Sequence, residues 1–520
     1  MGQRVGLGKA SRSSTRASRT VYESWAIVFL LLPTCLTAAT YFVAPDGNDT
    51  NSGAIDSPFS NVAKAVSLAL PGDTIFMRGG TYTYSTTVLI TNAGTAVAPI
   101  NLCAYTNEHP FIDFSAMADN DNNRGFRITT NAASGVGGCY WHIQGLEIYR
   151  AGDNGMKIEG SCNIIENCSF HHNRDSGLQM GLGDSDSDLP YRVCSNLILN
   201  CDSYLNYDPR HGGGNADGFC CKLHPGQGNV FRGCRSWENS DDGWDLYKNQ
   251  FDVTLEDCWT WHNGDPASFN TNSAGNAEGF KLGGDTDFYG PRMVKRCIAF
   301  MNAFGGSGAG KAFHQNDHQG SITLLNCLSF SNNYDYALNN SGGTHTVENC
   351  VAFDPYGPDH KLVSSNSSSS DIYIHNSWNL PVTPNTADYS VLTEAAAKAP
   401  RQADGSLPDN GFARLVAGSD LIDKGVDVGL PYNGSAPDLG PFEFTVPQGI
   451  VAIDGISMTD TGLSLHVTGL TSHGTITVQR SPDLVTWTPI FTNPPVTGVW
   501  QYVDPSATSP PQQFYRVEEQ

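Results

Sequence analysis

From residue 153 onward the chain repeats one short pattern of apolar and polar positions. It reads DNGMKI (153–158), DSGLQM (175–180), ADGFCC (216–221), DDGWDL (241–246), AEGFKL (277–282), GKAFHQ (310–315) and DYALNN (335–340). The third residue is small, usually Gly, and the fourth is apolar: Met156, Leu178, Phe219, Trp244, Phe280, Phe313 and Leu338. Such alternation predicts a short strand with its fourth position inward, its second and fifth outward, and a bend at the third. A second column runs beside it. ENCSFHHN, LNCDSYLN, RGCRSWEN, EDCWTWHN, KRCIAFMN, LNCLSFSN and ENCVAFDP place Cys at 168, 201, 234, 258, 297, 327 and 350, and the first six place Asn five residues later. The steps are 33, 33, 24, 39, 30 and 23 residues. The short steps define a unit of about two dozen residues and the long ones carry loops.

Repeats of this length, built of short strands and Asn-rich turns, predict an all-β chain wound as a right-handed parallel β-helix. Like residues then stack one per coil, about 4.8 Å apart. The Cys column predicts an inward row of small apolar side chains. The Asn column predicts a ladder of amides bonded along the stack.

The flanks have other textures. Arg4, Lys9, Arg12, Arg16 and Arg19 precede the apolar run WAIVFLLLPTCLTAA (25–39), which predicts a signal peptide over 1–39 and a secreted protein. The β-helix is expected over 40–359. The repeat fades after Cys350, and 360–446 reads as an extension packed on the coils, with a short helix in TEAAAKA (393–399). From 447 to 520, runs such as LSLHVTGL, TITVQRS and FYRVEE alternate apolar and polar residues and predict a small β-sandwich.

Charge and cysteine narrow the picture. Asp plus Glu outnumber Lys plus Arg by 52 to 30, a net charge of -22, which makes nucleic acid and anionic membrane poor partners. Loss of Cys35 with the signal leaves an odd number of cysteines. A single column offers no regular pairing, so mostly free thiols are expected, with Cys103, Cys139, Cys162 and Cys194 left open.

Read along the stack, the outward second column gives Asn154, Ser176, Asp217, Asp242, Glu278, Lys311 and Tyr336. The fifth gives Lys157, Gln179, Cys220, Asp245, Lys281, His314 and Asn339. Asp217 is then expected one coil below Asp242, and Lys281 one coil above Asp245, with Asp241 adjacent. Carboxylates gathered on two coils repel unless a cation lies between them, and an all-oxygen set favours Ca²⁺ over Mg²⁺. A solvated acidic turn is the plain alternative. Lys281 reads either as an ion-pair partner or, beside a bound cation, as a general base.

The spacing of Asp217, Asp241, Asp242, Asp245 and Lys281 resembles polysaccharide lyase family nine, the β-helical pectate lyases. The resemblance covers roughly 40–445. It includes the opening YFVAPDGNDTNSGAIDSPFSNVAKAVSLALPGDTIFMRGGTY, where residues 58–70 are expected to form a capping helix. It implies that the four aspartates bind a catalytic Ca²⁺, that Lys281 is the Brønsted base, and that an anionic uronic-acid polysaccharide such as pectate is cleaved by β-elimination. Lys311, His314, Lys248, Arg210 and Arg292, with Lys222, are candidates to hold further substrate carboxylates. Three other readings stand beside it: a lyase on rhamnogalacturonan or another uronate polymer, a polygalacturonase-like hydrolase using NADG (215–218) and DDG (241–243), and a non-catalytic glycan-binding β-helix.

Overall fold

The computed structural model describes residues 38–130, 137–183, 192–272, 275–302, 310–338, 342–354, 361–365, 371–445, 451–471, 474–507 and 513–519. The expected signal segment, apart from its last two residues, and Asn339 lie outside them.

Three parallel sheets of twelve, ten and ten strands run the length of the main body. Each strand between the sheet ends pairs with its counterpart one coil earlier and one coil later, so the sheets are the faces of a parallel β-helix. The sheet carrying the repeated pattern pairs Met156 with Leu178, Leu178 with Phe219, Phe219 with Trp244, Trp244 with Phe280 and Phe280 with Phe313. These side chains are buried. From Phe219 upward the rings stack, with centroids 5.1, 4.9 and 5.1 Å apart. The next coil departs from the expected register. Tyr336, not Leu338, pairs with Phe313 and stacks on it at 5.1 Å. The phenol is tolerated inside because its hydroxyl donates to the carbonyls of Cys327 and Val351, both at 3.1 Å.

The expected columns form. Cys168, Cys201, Cys234, Cys258, Cys297, Cys327 and Cys350 are buried thiols, and Cys103, Cys139, Cys162 and Cys194 are likewise outside any disulfide. The Asn ladder is continuous. The backbone N–H and side-chain amide of Asn173 both donate to Asn206 Oδ1, at 3.0 and 2.9 Å. The same pair of bonds recurs from Asn206 to Asn239, Asn239 to Asn263, Asn263 to Asn302 and Asn302 to Asn332. A second ladder, Asn163 to Asn196 to Asn229, has no counterpart in the sequence reading.

A helix, α1 (Val62–Leu68), packs against the first strands, with Asn61 capping its N-terminus. The coils continue beyond residue 359: the strands Lys361–Ser365 and Ile372–Ile374 join two of the long sheets. The following segment lies on the third sheet. Its Tyr389, Phe412, Leu415 and Leu421 share one buried cluster with Trp237, Trp261, Phe300 and Phe330. The short helix there is α2 (Glu394–Ala397). The Arg235 guanidinium donates to the carbonyls of Ala397 and Ala399, both at 2.8 Å. The C-terminal residues form two three-stranded antiparallel sheets around their own core of Leu465, Val467, Leu470, Ile476 and Val478.

Candidate active site

The strands Phe219–Cys221, Trp244–Asp245 and Phe280–Lys281 lie in successive coils. Their register sets Cys220 beside Asp245 and Asp245 beside Lys281. The residue before each inward aromatic must be small. A Cβ on Gly243 would lie 2.1 Å from Thr260 Oγ1, and one on Gly218 would lie 1.9 Å from Ser236 Oγ. Glycine therefore lets the backbone run tight against the neighbouring sheet. The turn residues Asp217 and Asp242 then stack above one another: Asp242 N–H donates to Asp217 Oδ1 at 3.2 Å.

Asp217, Asp242 and Asp245 each present an oxygen within 4.8 Å of the other two, and all three are buried. Lys281 Nζ lies 3.1 Å from Asp242 Oδ2 and 3.5 Å from Asp245 Oδ2. Asp241 stands apart from this trio. Its carboxylate accepts from the backbone N–H of Asn215 at 2.8 Å and of Asn276 at 2.6 Å, tying together the loops of two coils. It lines the same cleft, of about 880 Å³, as Asp245 and Lys281.

Lys222, a minor candidate in the sequence, is central here. Its Nζ lies 2.6 Å from Asp217 Oδ2 and 3.1 Å from Asp245 Oδ2. Were all four aspartates ionised, they would outnumber the two ammoniums by two in a largely desolvated site. The donor set fits a hard divalent cation: carboxylate oxygens only, crowded together.

The electrostatics register the same crowding. Burial pushes Asp217 up to about 7, with Lys222 opposing the shift. Asp242 is driven well above the carboxylate range by burial and by Asp241. Burial acts in the same sense on Asp245, but Lys281 and Lys222 outweigh it and hold that carboxyl below its ordinary value. Burial alone would lower Lys281; Asp242 and Asp245 reverse this and hold its ammonium well above the usual lysine range.

The proposed substrate-holding cations are placed less uniformly. Lys311 Nζ lies 3.1 Å from Glu278 Oε1, and His314 Nδ1 lies 2.6 Å from the same oxygen but off the line a hydrogen bond needs. Glu278, missed in the sequence although it stands in the second column, thus anchors both. Lys248 lies over the Tyr247 ring at 5.2 Å, with Asp285 at 4.0 Å. Arg210 faces Asp121 at 3.1 Å and Asp153 at 3.6 Å. None of these four lines the cleft. Arg292 is a correction. It is buried, does not line the cleft, and donates to the carbonyls of Leu282, Phe251, Gly290 and Asn249, so it staples loops together away from the substrate.

Comparison with known proteins points one way. The family model described as Pel9A-like, right handed beta helix region, matches residues 41–349. A protein named pectate lyase L from Dickeya chrysanthemi is 36% identical over 420 residues, 78% of this chain and 91% of its own. Pectate lyase PEL9 of Emericella nidulans is 32% identical over 426 residues, 76% of this chain and 96% of its own. The crystal structure of pectate lyase Pel9A superposes with a TM-score of 0.67 at 34% identity, covering 79% of this chain and 97% of that one. Matched span, relatives and shared coils together establish that this chain belongs to the Pel9A-like right-handed β-helix family, polysaccharide lyase family nine.

Proposed function

We propose that the protein is an exported, Ca²⁺-dependent pectate lyase that cleaves α-1,4-galacturonan by β-elimination. The observation that carries this reading is Lys281 Nζ, which lines the cleft with Asp245 and lies 3.1 and 3.5 Å from two carboxylates of the buried acid trio. Export rests on the basic and then apolar opening of the sequence.

Asp217, Asp242 and Asp245 would hold the ion, with Asp241 beside them. Bound there, Ca²⁺ would take up the uronate carboxylate, offset negative charge developing next to C5, and relieve the acids' hold on the Lys281 proton. The protein's own part is base and frame. Neutral Lys281 Nζ accepts the C5 proton. The C5–H electron pair becomes the C4–C5 double bond, the C4–O4 bond breaks, and O4 leaves with its electron pair on C1 of the neighbouring sugar, where it takes a proton from water; the other product is a 4,5-unsaturated sugar. Lys222 holds Asp217 and Asp245 in place, and Tyr247 N–H, 3.0 Å from Asp245 Oδ1, fixes that carboxylate's rotation.

The direct test is incubation of the protein with polygalacturonate and Ca²⁺ while ultraviolet absorbance of unsaturated product is followed. Absorbance should rise with Ca²⁺ and stop on chelation. Reducing ends that accumulate without absorbance would mean hydrolysis and would overturn the proposal.

A further inference from the structure

The cleft does not stop at the acid trio. It continues down the same face to Gln179 and Lys157, which occupy the same outward column as Asp245 and Lys281. Gln179 lies three coils below Lys281 and Lys157 four, roughly 14 and 19 Å away at about 4.8 Å per coil. Both line the cleft, and both are more than nine-tenths buried.

Both also carry an unused donor. Asn154 Nδ2 donates to Gln179 Oε1 at 3.2 Å, and Gln179 Nε2 is buried with no hydrogen-bond partner. Lys157 forms no hydrogen bond or ion pair among the described residues, although acids are near. Those acids are engaged elsewhere. Glu159 accepts a fork of hydrogen bonds from Arg127 at 2.9 to 3.1 Å. Asp153 pairs with Arg124 at 3.0 Å. Asp175 accepts from Ser176 N–H and hydroxyl, at 2.5 and 3.1 Å. A buried amide N–H left without an acceptor is costly in a folded protein unless something else supplies one, and the Lys157 ammonium, at the end of a buried stem, opens on the same cleft. Burial lowers Lys157 to about 8 against the opposing pull of Glu159, Asp175 and Asp153.

We infer that Lys157 and Gln179 form a distal subsite for a substrate carboxylate, belonging to a uronate roughly three to four sugars from the bond that is cut. The inference rests on the lyase reading. A single carboxylate offers two acceptor oxygens, enough for the ammonium and the amide N–H on adjacent coils. The coil spacing is close to the length of one sugar, so an extended uronate chain lying along the face brings successive carboxylates past successive coils.

The experiment measures kcat/KM on trigalacturonate and octagalacturonate for the full chain, Lys157→Met, Lys157→Arg and Gln179→Glu. In Lys157→Met the octamer-to-trimer ratio should fall by about 10-fold or more, through KM rather than kcat, the loss expected for one charge-assisted hydrogen bond. Lys157→Arg should restore most of it. Gln179→Glu keeps the side-chain size and the bond from Asn154, and should lower the ratio by setting a like charge against the carboxylate. A ratio that stays at the wild-type value in Lys157→Met and Gln179→Glu overturns the subsite, including where both substrates are slowed equally. Should wild type yield no unsaturated product, the lyase reading itself has failed. The subsite is then read by calorimetric titration of octagalacturonate into Lys281→Ala protein with and without Lys157→Met. Binding about 10-fold weaker with the second substitution upholds it, and equal affinity overturns it.

Discussion

At the scale of single residues, the site is a problem of charge held against burial. Lys281 is kept protonated by the acids that surround it, yet the proposed reaction needs it neutral. Turnover should therefore rise with pH until the base is deprotonated, and fall on the acid side. Lys281→Met, which keeps the stem and removes the amine, should lower kcat by about 10²- to 10⁴-fold, the usual range for a positioned base. Its residual rate should lose that pH dependence, and a pH–rate profile of the variant reads this directly. Gly243 sets the same site by what it lacks. A Cβ there would meet Thr260 Oγ1 at 2.1 Å and Gly279 O at 2.5 Å, so Gly243→Ala must shift the backbone between Asp242 and Asp245. The Ca²⁺ concentration giving half-maximal rate should rise at least about 10-fold. An unaltered Ca²⁺ titration would mean that this close packing does not shape the acid trio.

At the scale of the strand and its turn, one buried acid tests how the stack tolerates polar groups. Asp335 lies in the strand Tyr334–Leu338, accepts from the Ser329 hydroxyl, and leaves Oδ2 buried without a partner. Burial raises its carboxyl to about 7 from an ordinary 3.8. The native state thus prefers the protonated form, and the stability from that preference is complete below about pH 4 and lost as pH climbs towards 7. Asp335→Asn imitates the protonated acid at every pH. Its advantage over wild type in urea unfolding should be near zero at pH 4 and grow to the order of 4 kcal/mol by pH 8. An advantage independent of pH would contradict this account. The same strand shows where pattern reading slipped. Leu338 is buried in the core as its apolar character suggested, but the register puts Tyr336 rather than Leu338 in the column of Phe313, where its hydroxyl finds two carbonyls. Alternation indicates which positions are apolar; it does not foresee a polar group satisfied within the coil.

At the scale of the molecule, most of the main body was legible because a β-helix writes its architecture as spacing. The Cys and Asn columns and the glycine-aromatic strand each recur once per coil, so Asp217, Asp242, Asp245 and Lys281 could be brought together by register alone. What spacing could not give was reach. Lys222 bridges two coils from a position beyond the repeated pattern's fifth residue. Arg292 turns inward to loop carbonyls that no periodicity announces. The C-terminal strands obey a different alternation and build a separate core. The cleft's described lining falls between Asp121 and Lys281, which leaves those strands no residue in the chemistry proposed for it. A chain ending at residue 446 keeps the cluster joining Tyr389, Phe412 and Leu421 to the third sheet, so the coils retain their cover. On soluble octagalacturonate it should turn over within about twofold of the full chain, by the same absorbance assay. A cut at residue 375 would instead bare Trp237, Trp261, Phe300 and Phe330 to water, and that chain should aggregate or melt well below the other two. If loss of 447–520 alone abolished turnover on the soluble oligomer while the melting temperature of the coils stayed put, the C-terminal module would have to take part in the site, and the cleft as drawn would be incomplete.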